Sequence, residues 1–297
     1  MRFVLAGGSG FLGTALRDHL ARQGHEVIRL VRRTAASQSE SQWYPERGIV
    51  DRPLIESADV VINLAGAPIA HWPWTASYKA TLLRSRTDTT ETLAQAIADG
   101  SSKPTFLVQN GVAGYGDRGD EVLTEESSTG ADTTLGRITQ AWEDAAAPAS
   151  DSGARVCVMR SGVVLHKSGG GLKPMLLQFR LGVGGPIGSG KQYFPTISLA
   201  DWLRVVSFLA TNDTCSGVFN VSGPNATTNE EFAKELGRMV HRPTAVRAPA
   251  WPLRKALGDL ANEFLSSARV EPERLLAQGF VFEHATLNAR LAAALTD

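Results

Sequence analysis

Short apolar runs alternate along the chain with segments whose apolar residues recur every three or four positions. The run from Arg2 to Ala6 ends in glycines, after which Phe11, Leu12, Ala15, Leu16 and Leu20 repeat at helical spacing up to Gly24. Further strand-like runs cover Glu26 to Val31, Val60 to Leu64, Thr105 to Val108 and Val156 to Met159, and helical patterns over Lys79 to Ala98 and Gly136 to Ala147 fall between them. Runs this apolar have no face left for water. Strands buried on both faces and alternating with helices predict a parallel sheet covered on each side, a doubly wound α/β arrangement.

Beyond Arg160 the pattern changes. Residues 166–195 are glycine-rich around one short apolar piece, Leu172 to Leu181, and read as a mobile substrate-side insert rather than a sheet layer. Leu199 to Ala210 then reads as a helix and Val218 to Val221 as one more strand. The tail is mostly helical: an Asn229 cap precedes Glu230 to Val240, prolines 249 and 252 punctuate a link, and helices follow near Arg254 to Ser266 and Pro272 to Gln278. Ser37 to Ser41 reads as a solvated loop.

Thirty basic residues balance thirty acidic ones in the 297-residue chain, so neither a basic footprint for nucleic acid nor an acidic tail is expected. The longest charge-free stretch, Val60 to Tyr78, is interrupted by Asn63, Pro68, His71 and Pro73, which argues against a membrane span. Cys157 and Cys215 lie in apolar runs without metal-ligand spacing and read as reduced core thiols. No two histidines stand at ligand spacing, so no metal site is expected. These features together predict a cytoplasmic protein, monomeric or homodimeric, with a small-molecule substrate.

The strongest chemical signal is Gly7-Gly8-Ser9-Gly10-Phe11-Leu12-Gly13, between the first strand and the first helix. Glycines there permit a tight turn and a backbone close enough to touch a pyrophosphate, while the helix N-terminus favours the anion; the plain alternative is a flexible turn. The cofactor's ribose is read at the end of the second strand, where an acid would bind a 2′-hydroxyl. That position is Arg32, followed by Arg33. A guanidinium there can fork onto a 2′-phosphate, a contact worth roughly 1.5 to 3 kcal/mol, so NADP(H) is the expected cofactor unless both arginines are merely solvated. The small residues of Asn63-Leu64-Ala65-Gly66-Ala67 suit a flat cofactor lying on the backbone, or a plain strand exit.

GGSGFLG, NLAGAPIAHW, the Ser85-Arg86 pair with Thr89-Thr90, GVAGYGDRGDEVLTEES and RSGVVLHKSGGGLKPMLLQFRLGVGGPIGSGKQYF together resemble the extended short-chain dehydrogenase/reductase superfamily. More narrowly they are similar to its atypical branch, the epimerase family or SulA-like group, with a C-terminal domain of unknown function. The resemblance covers nearly the whole chain. It implies a Rossmann-like fold binding NADP(H) over residues 1–165, with 196–225 returning to it, and a smaller, mostly helical substrate-side domain from 166–195 and 226–297. It also implies cofactor contacts from Gly7, Ser9, Gly10, Phe11, Leu12, Gly13, Arg32, Arg33, Leu64, Ala65, Gly66 and Arg86.

The superfamily's chemistry uses a Tyr with a Lys four residues later and a nearby Ser or Thr. The residues four beyond Tyr44, Tyr78, Tyr115 and Tyr193 are Gly48, Leu82, Gly119 and Ile197, so the pair is absent. Its neighbours place it near Thr134 to Thr139, and the partner hydroxyl at Asn110 or Gly111, where none occurs. Tyr115 with Asn110 is the substitute catalytic pair the sequence offers, although Tyr115 also reads as an aromatic loop anchor. Asp117, Arg118, Glu121, Arg160 and Tyr193 are secondary candidates. Two functions follow: an NADP(H)-dependent oxidoreductase or epimerase on a small carbonyl or sugar-like molecule, and a non-catalytic NADP(H)-binding redox sensor.

Overall fold

A computed structural model describes residues 1–130 and 132–296. In chain order the elements are β1 (Arg2–Ala6), α1 (Phe11–Arg22), β2 (Glu26–Val31), β3 (Glu40–Gln42), α2 (Arg52–Glu56), β4 (Val60–Asn63), α3 (Ala76–Asp99), β5 (Thr105–Gly111) and β6 (Val122–Leu123). They continue with α4 (Thr134–Asp144), α5 (Ala147–Asp151), β7 (Val156–Ser161), β8 (Val163–Leu165), α6 (Leu172–Arg180), β9 (Thr196–Ser198), α7 (Leu199–Thr211) and β10 (Gly217–Val221). The tail holds α8 (Asn229–Met239), α9 (Ala250–Leu257), α10 (Asn262–Leu265), β11 (Arg269–Val270), α11 (Glu273–Ala277) and α12 (Leu287–Thr296).

Seven strands form one parallel sheet in the order β10-β7-β5-β4-β1-β2-β3. The apolar runs seen in the sequence are its central strands, and β1 and β4 bury nearly every side chain because helices cover both faces. On one face Leu16 and Leu20 of α1 and Trp202 and Val206 of α7 meet Phe3, Leu5 and Ile62. On the other, Leu93 and Ile97 of α3 and Trp142 of α4 meet Val4, Val61 and Phe106. Each such side chain removed from water stabilises the fold by about 1.5 to 3 kcal/mol. From β1 the chain crosses first to β2 on one side and later to β4 on the other. The strand order therefore reverses between β1 and β4, where the carboxyl ends of two strands leave a crevice. Ala6 pairs with Asn63, so the two ends are level.

Three local expectations change. Ser37 to Ser41 is not wholly loop: Glu40–Gln42 forms the sheet's edge strand, paired with Arg29, Leu30 and Val31. The cap of α8 is Thr228 rather than Asn229, because Thr228 and Glu231 exchange backbone bonds as a capping box. The glycine-rich insert contains a helix, α6, whose Leu172, Leu176 and Phe179 share a separate core with Phe232 and Leu236 of α8 and Leu291 of α12. Parts of the insert thus share a core with α8 and α12, while α7 and β10 lie on and in the main sheet and Leu275, Phe280 and Phe282 of the tail join the first core. Cys157 and Cys215 are buried free thiols. No helix among the described residues is long and apolar enough to cross a membrane.

Candidate cofactor site

The glycine loop leaves β1 and enters α1 at the reversal point. Gly7 has φ +78°, and a Cβ on it would lie 2.6 Å from the carbonyl carbon of Leu64, so only glycine lets the two strand exits touch. Gly13 plays the packing role: a Cβ there would stand 2.2 Å from the Gly7 oxygen. Gly10 is different. It precedes α1 in extended conformation, no side chain caps the helix, and an added Cβ would meet only the Gly7 oxygen at 3.5 Å. The fold itself does not require glycine at position 10. What it supplies there is open space above a helix N-terminus with backbone N–H groups to offer an anion.

Ser9 is exposed at this rim, and Gly7, Gly8, Ser9 and Gly10 line a cavity of about 1080 Å³. Phe11 and Leu12 instead pack against the first core, and Phe11 lies beneath Gly169 and Gly170 of the insert. Phe11, Leu12 and Gly13 are not among the residues that line the cavity.

The opposite wall is the segment after β4, and α3 holds it in shape. Buried Asn63 donates to the hydroxyls of Thr89 and Thr90 at 3.2 and 2.9 Å and accepts from the Ala65 N–H at 3.0 Å. Ser85 accepts from the Ala67 N–H at 2.9 Å. This explains the Ser85-Arg86 and Thr89-Thr90 signature: it fixes a backbone surface, Leu64 to Pro68, that lines the cavity. Arg86 belongs to that scaffold and does not line the cavity, contrary to its expected place among the cofactor contacts. Its guanidinium is buried under Gly66, donates to the carbonyls of Leu82 and Ala67, and lies over the Trp142 ring. Burial without a carboxylate lowers its pKa to about 10, so it remains charged at neutral pH.

The third wall carries the charge. Arg29, Arg32 and Arg33 all line the cavity, but they are not equivalent. Glu40, its side chain 2% exposed, accepts from Arg29 Nη2 at 2.6 Å, from both Arg33 terminal nitrogens at 2.7 and 2.8 Å, and from the Ala36 N–H at 2.8 Å. Those four donors saturate the carboxylate, and Arg33 above all, then Ala36, brings its pKa down to about 2. Arg32 has no ion-pair partner among the described residues, so of these three its guanidinium is the uncommitted one. Sequence reasoning missed Glu40, hidden in a serine-rich stretch; three arginines so close together were the available sign that an acid must hold some of them.

A depressed carboxylate pKa adds stability above its unfolded value and withdraws it as pH falls through the folded one. The β2–β3 edge is therefore expected to lose stability progressively from about pH 4.5 to pH 2. Melting temperatures measured across that range for wild type and Glu40→Gln should diverge above pH 4 and converge near pH 2; parallel curves would contradict the hub role.

The expected catalytic pair lies elsewhere. Asn110 is buried, donates to the Thr139 carbonyl at 3.0 Å and accepts from the Gly111 N–H at 2.8 Å, which uses its amide locally. Tyr115 is 2% exposed; its hydroxyl sits 2.8 Å from Asn220 Oδ1 and 3.0 Å from the Thr124 carbonyl and accepts from Arg160 Nη1 at 3.0 Å. Arg160 in turn forks onto Glu143. Burial raises the Tyr115 pKa further from neutrality, although Arg160 opposes the shift.

This network ties β7, β10 and the 115–125 segment together, and neither residue lines the cavity. Tyr115→Phe is expected to cost about 1 to 3 kcal/mol of unfolding free energy, by leaving buried polar partners unmet, with NADPH affinity unchanged. Urea unfolding and a binding titration on one sample measure both, and unaltered stability would contradict the reading.

In the 134–139 stretch, near which the resemblance puts the superfamily's tyrosine and lysine, Leu135 and Ile138 pack with Leu82 in an apolar cluster. Beside it Asp259 accepts from Lys79 Nζ at 2.5 Å and Thr134 Oγ1 at 2.8 Å, joining α3 and α4 to the C-terminal region. Asp117 accepts from the Ser267 N–H and Arg118 pairs with Glu121, so these loop charges are engaged in structure. Tyr193 lies under the Arg269 guanidinium, 5.3 Å from ring centre to cation. No cluster of three or more His, Cys, Asp or Glu able to hold a metal occurs among the described residues.

A glycine-loop crevice at the reversal point of a seven-stranded parallel sheet defines a dinucleotide-binding Rossmann protein. The chain belongs to the NAD dependent epimerase/dehydratase family, which matches residues 3–164, and a domain of unknown function matches residues 248–294. An epimerase family protein of Mycobacterium bovis is 39% identical over 99% of this chain and 97% of its own. Among solved structures, the human epimerase family protein SDR39U1 with NADPH superposes with a TM-score of 0.91 at 34% identity, covering 99% of each chain. A nucleoside-diphosphate sugar epimerase from Corynebacterium glutamicum gives a TM-score of 0.81 at 31% identity over 99% of this chain and 58% of that one.

Proposed function

We propose that the chain binds NADP(H) in this crevice and uses it for hydride transfer with a small carbonyl-bearing or sugar-like molecule. The observation that carries the reading is one cavity lined at once by the open Gly10 rim, the Leu64–Ala67 backbone and the unpaired Arg32. In this reading the backbone of Gly8 to Gly13 receives the pyrophosphate, Arg32 receives the 2′-phosphate, and the segment after β4 supports the nicotinamide half. The human relative crystallised with NADPH supports the choice of cofactor. When bound, the nicotinamide supplies or accepts the hydride, while these residues bind and orient it.

A second reading, a redox sensor that binds without turnover, is favoured by the lack of a Tyr or Lys in the 134–139 stretch, where Leu135 and Ile138 form an apolar cluster, and by the burial of Tyr115 and Asn110. Mixing NADPH-loaded protein with a panel of aldehydes, ketones and nucleotide sugars while following nicotinamide absorbance separates the two. Oxidation of NADPH by any member supports the enzyme; tight binding with no consumption across the panel supports the sensor.

A further inference from the structure

Arg84 and Asp88 stand four residues apart on α3, the spacing at which opposite charges on a helix normally pair. They do not pair here. Both line the 1080 Å³ cavity instead, together with Arg32 and the Trp43–Glu46 turn. Asp88 is half-buried; one of its oxygens accepts weakly from the Thr87 hydroxyl at 3.2 Å and the other has no hydrogen-bond partner among the described residues. One turn further along the helix, Thr92 donates to the Pro45 carbonyl at 3.0 Å, which fixes the 43–46 turn against α3.

A carboxylate only accepts hydrogen bonds, so it selects a ligand group that donates. At the Arg32 end of a dinucleotide such as NADP(H), the 2′-phosphate is an acceptor, and repulsive to a carboxylate. The adenine presents one strong donor, its exocyclic amine. We infer that Asp88 reads the adenine base of the cofactor by accepting from that amine, with Arg84 covering the face of the ring. The inference rests on the dinucleotide reading above and adds to it the base specificity of the site. A guanidinium is planar and weakly hydrated and stacks on aromatic faces, which suits Arg84 to a contact indifferent to ring substituents. Recognition is thereby divided: Arg32 reads the phosphate, Asp88 the base. Glu46, on the exposed turn opposite, is the competing carboxylate.

The test compares NADPH with its analogue whose base is unsubstituted purine, which carries hydrogen in place of the amine. Wild-type protein should bind NADPH about tenfold more tightly, because the analogue leaves the Asp88 carboxylate without its donor. Asp88→Ala, which removes the acceptor, should bring the ratio to about one, and Arg84→Ala should weaken both ligands by the same factor. A wild-type ratio near one, a ratio unchanged in Asp88→Ala, or its loss in Glu46→Gln instead overturns the inference while leaving NADPH binding standing. Failure of wild type to bind either dinucleotide removes the dinucleotide reading and this inference together.

Discussion

Arg32→Ser is expected to weaken NADPH binding by about tenfold to a hundredfold while leaving NADH within about twofold of wild type. The asymmetry follows from how the three arginines are used. Arg29 and Arg33 already share the saturated Glu40 carboxylate, which ties their guanidinium groups in place. Of the three, Arg32 is the one with an uncommitted donor fork, and NADH lacks the phosphate that would take it. Serine keeps a polar side chain at the position and disturbs no contact that the fold uses. Equal losses for both dinucleotides would mean that Arg32 shapes the cavity rather than reads the phosphate.

Gly10→Val should abolish binding of both dinucleotides and leave the melting temperature within a few degrees of wild type. The added side chain would point into the space above the helix N-terminus, where the pyrophosphate must approach, yet it meets only one backbone oxygen, at 3.5 Å from Cβ. Position 10 already has an extended backbone that a β-branched residue adopts easily. Gly7→Val provides the contrast: with φ +78° and a 2.6 Å approach to Leu64, it should lose stability as well as binding. Retained affinity in a folded Gly10→Val protein would remove the loop from the site.

Much of this architecture is legible in the sequence because β1, β4, β5 and β7 are buried on both faces, which leaves an unbroken apolar signature. The glycine loop is legible for a similar reason: Gly7 and Gly13 answer steric demands that the βα turn imposes, and Gly10 keeps the space above the helix open. Glu40–Gln42 escapes notice because an edge strand of three residues needs no apolar run, and its anchoring comes from ion pairs to Arg29 and Arg33. Tyr115 misleads for the opposite reason. A tyrosine between glycines looks exposed, but Asn220 and Arg160, far away in sequence, enclose its hydroxyl. Arg86 likewise carries a charge that suggests a ligand, and only the fold shows it serving backbone carbonyls. Residues whose role is set by partners distant in sequence are the ones a linear reading misplaces.

A crystal structure of the chain grown with NADPH tests the central claim most directly. The account predicts the pyrophosphate on the backbone of Gly8 to Gly13, the 2′-phosphate within hydrogen-bond distance of the Arg32 guanidinium, and Arg33 still on Glu40. A pyrophosphate bound away from the glycine loop, or a 2′-phosphate with no contact to Arg32, would contradict it.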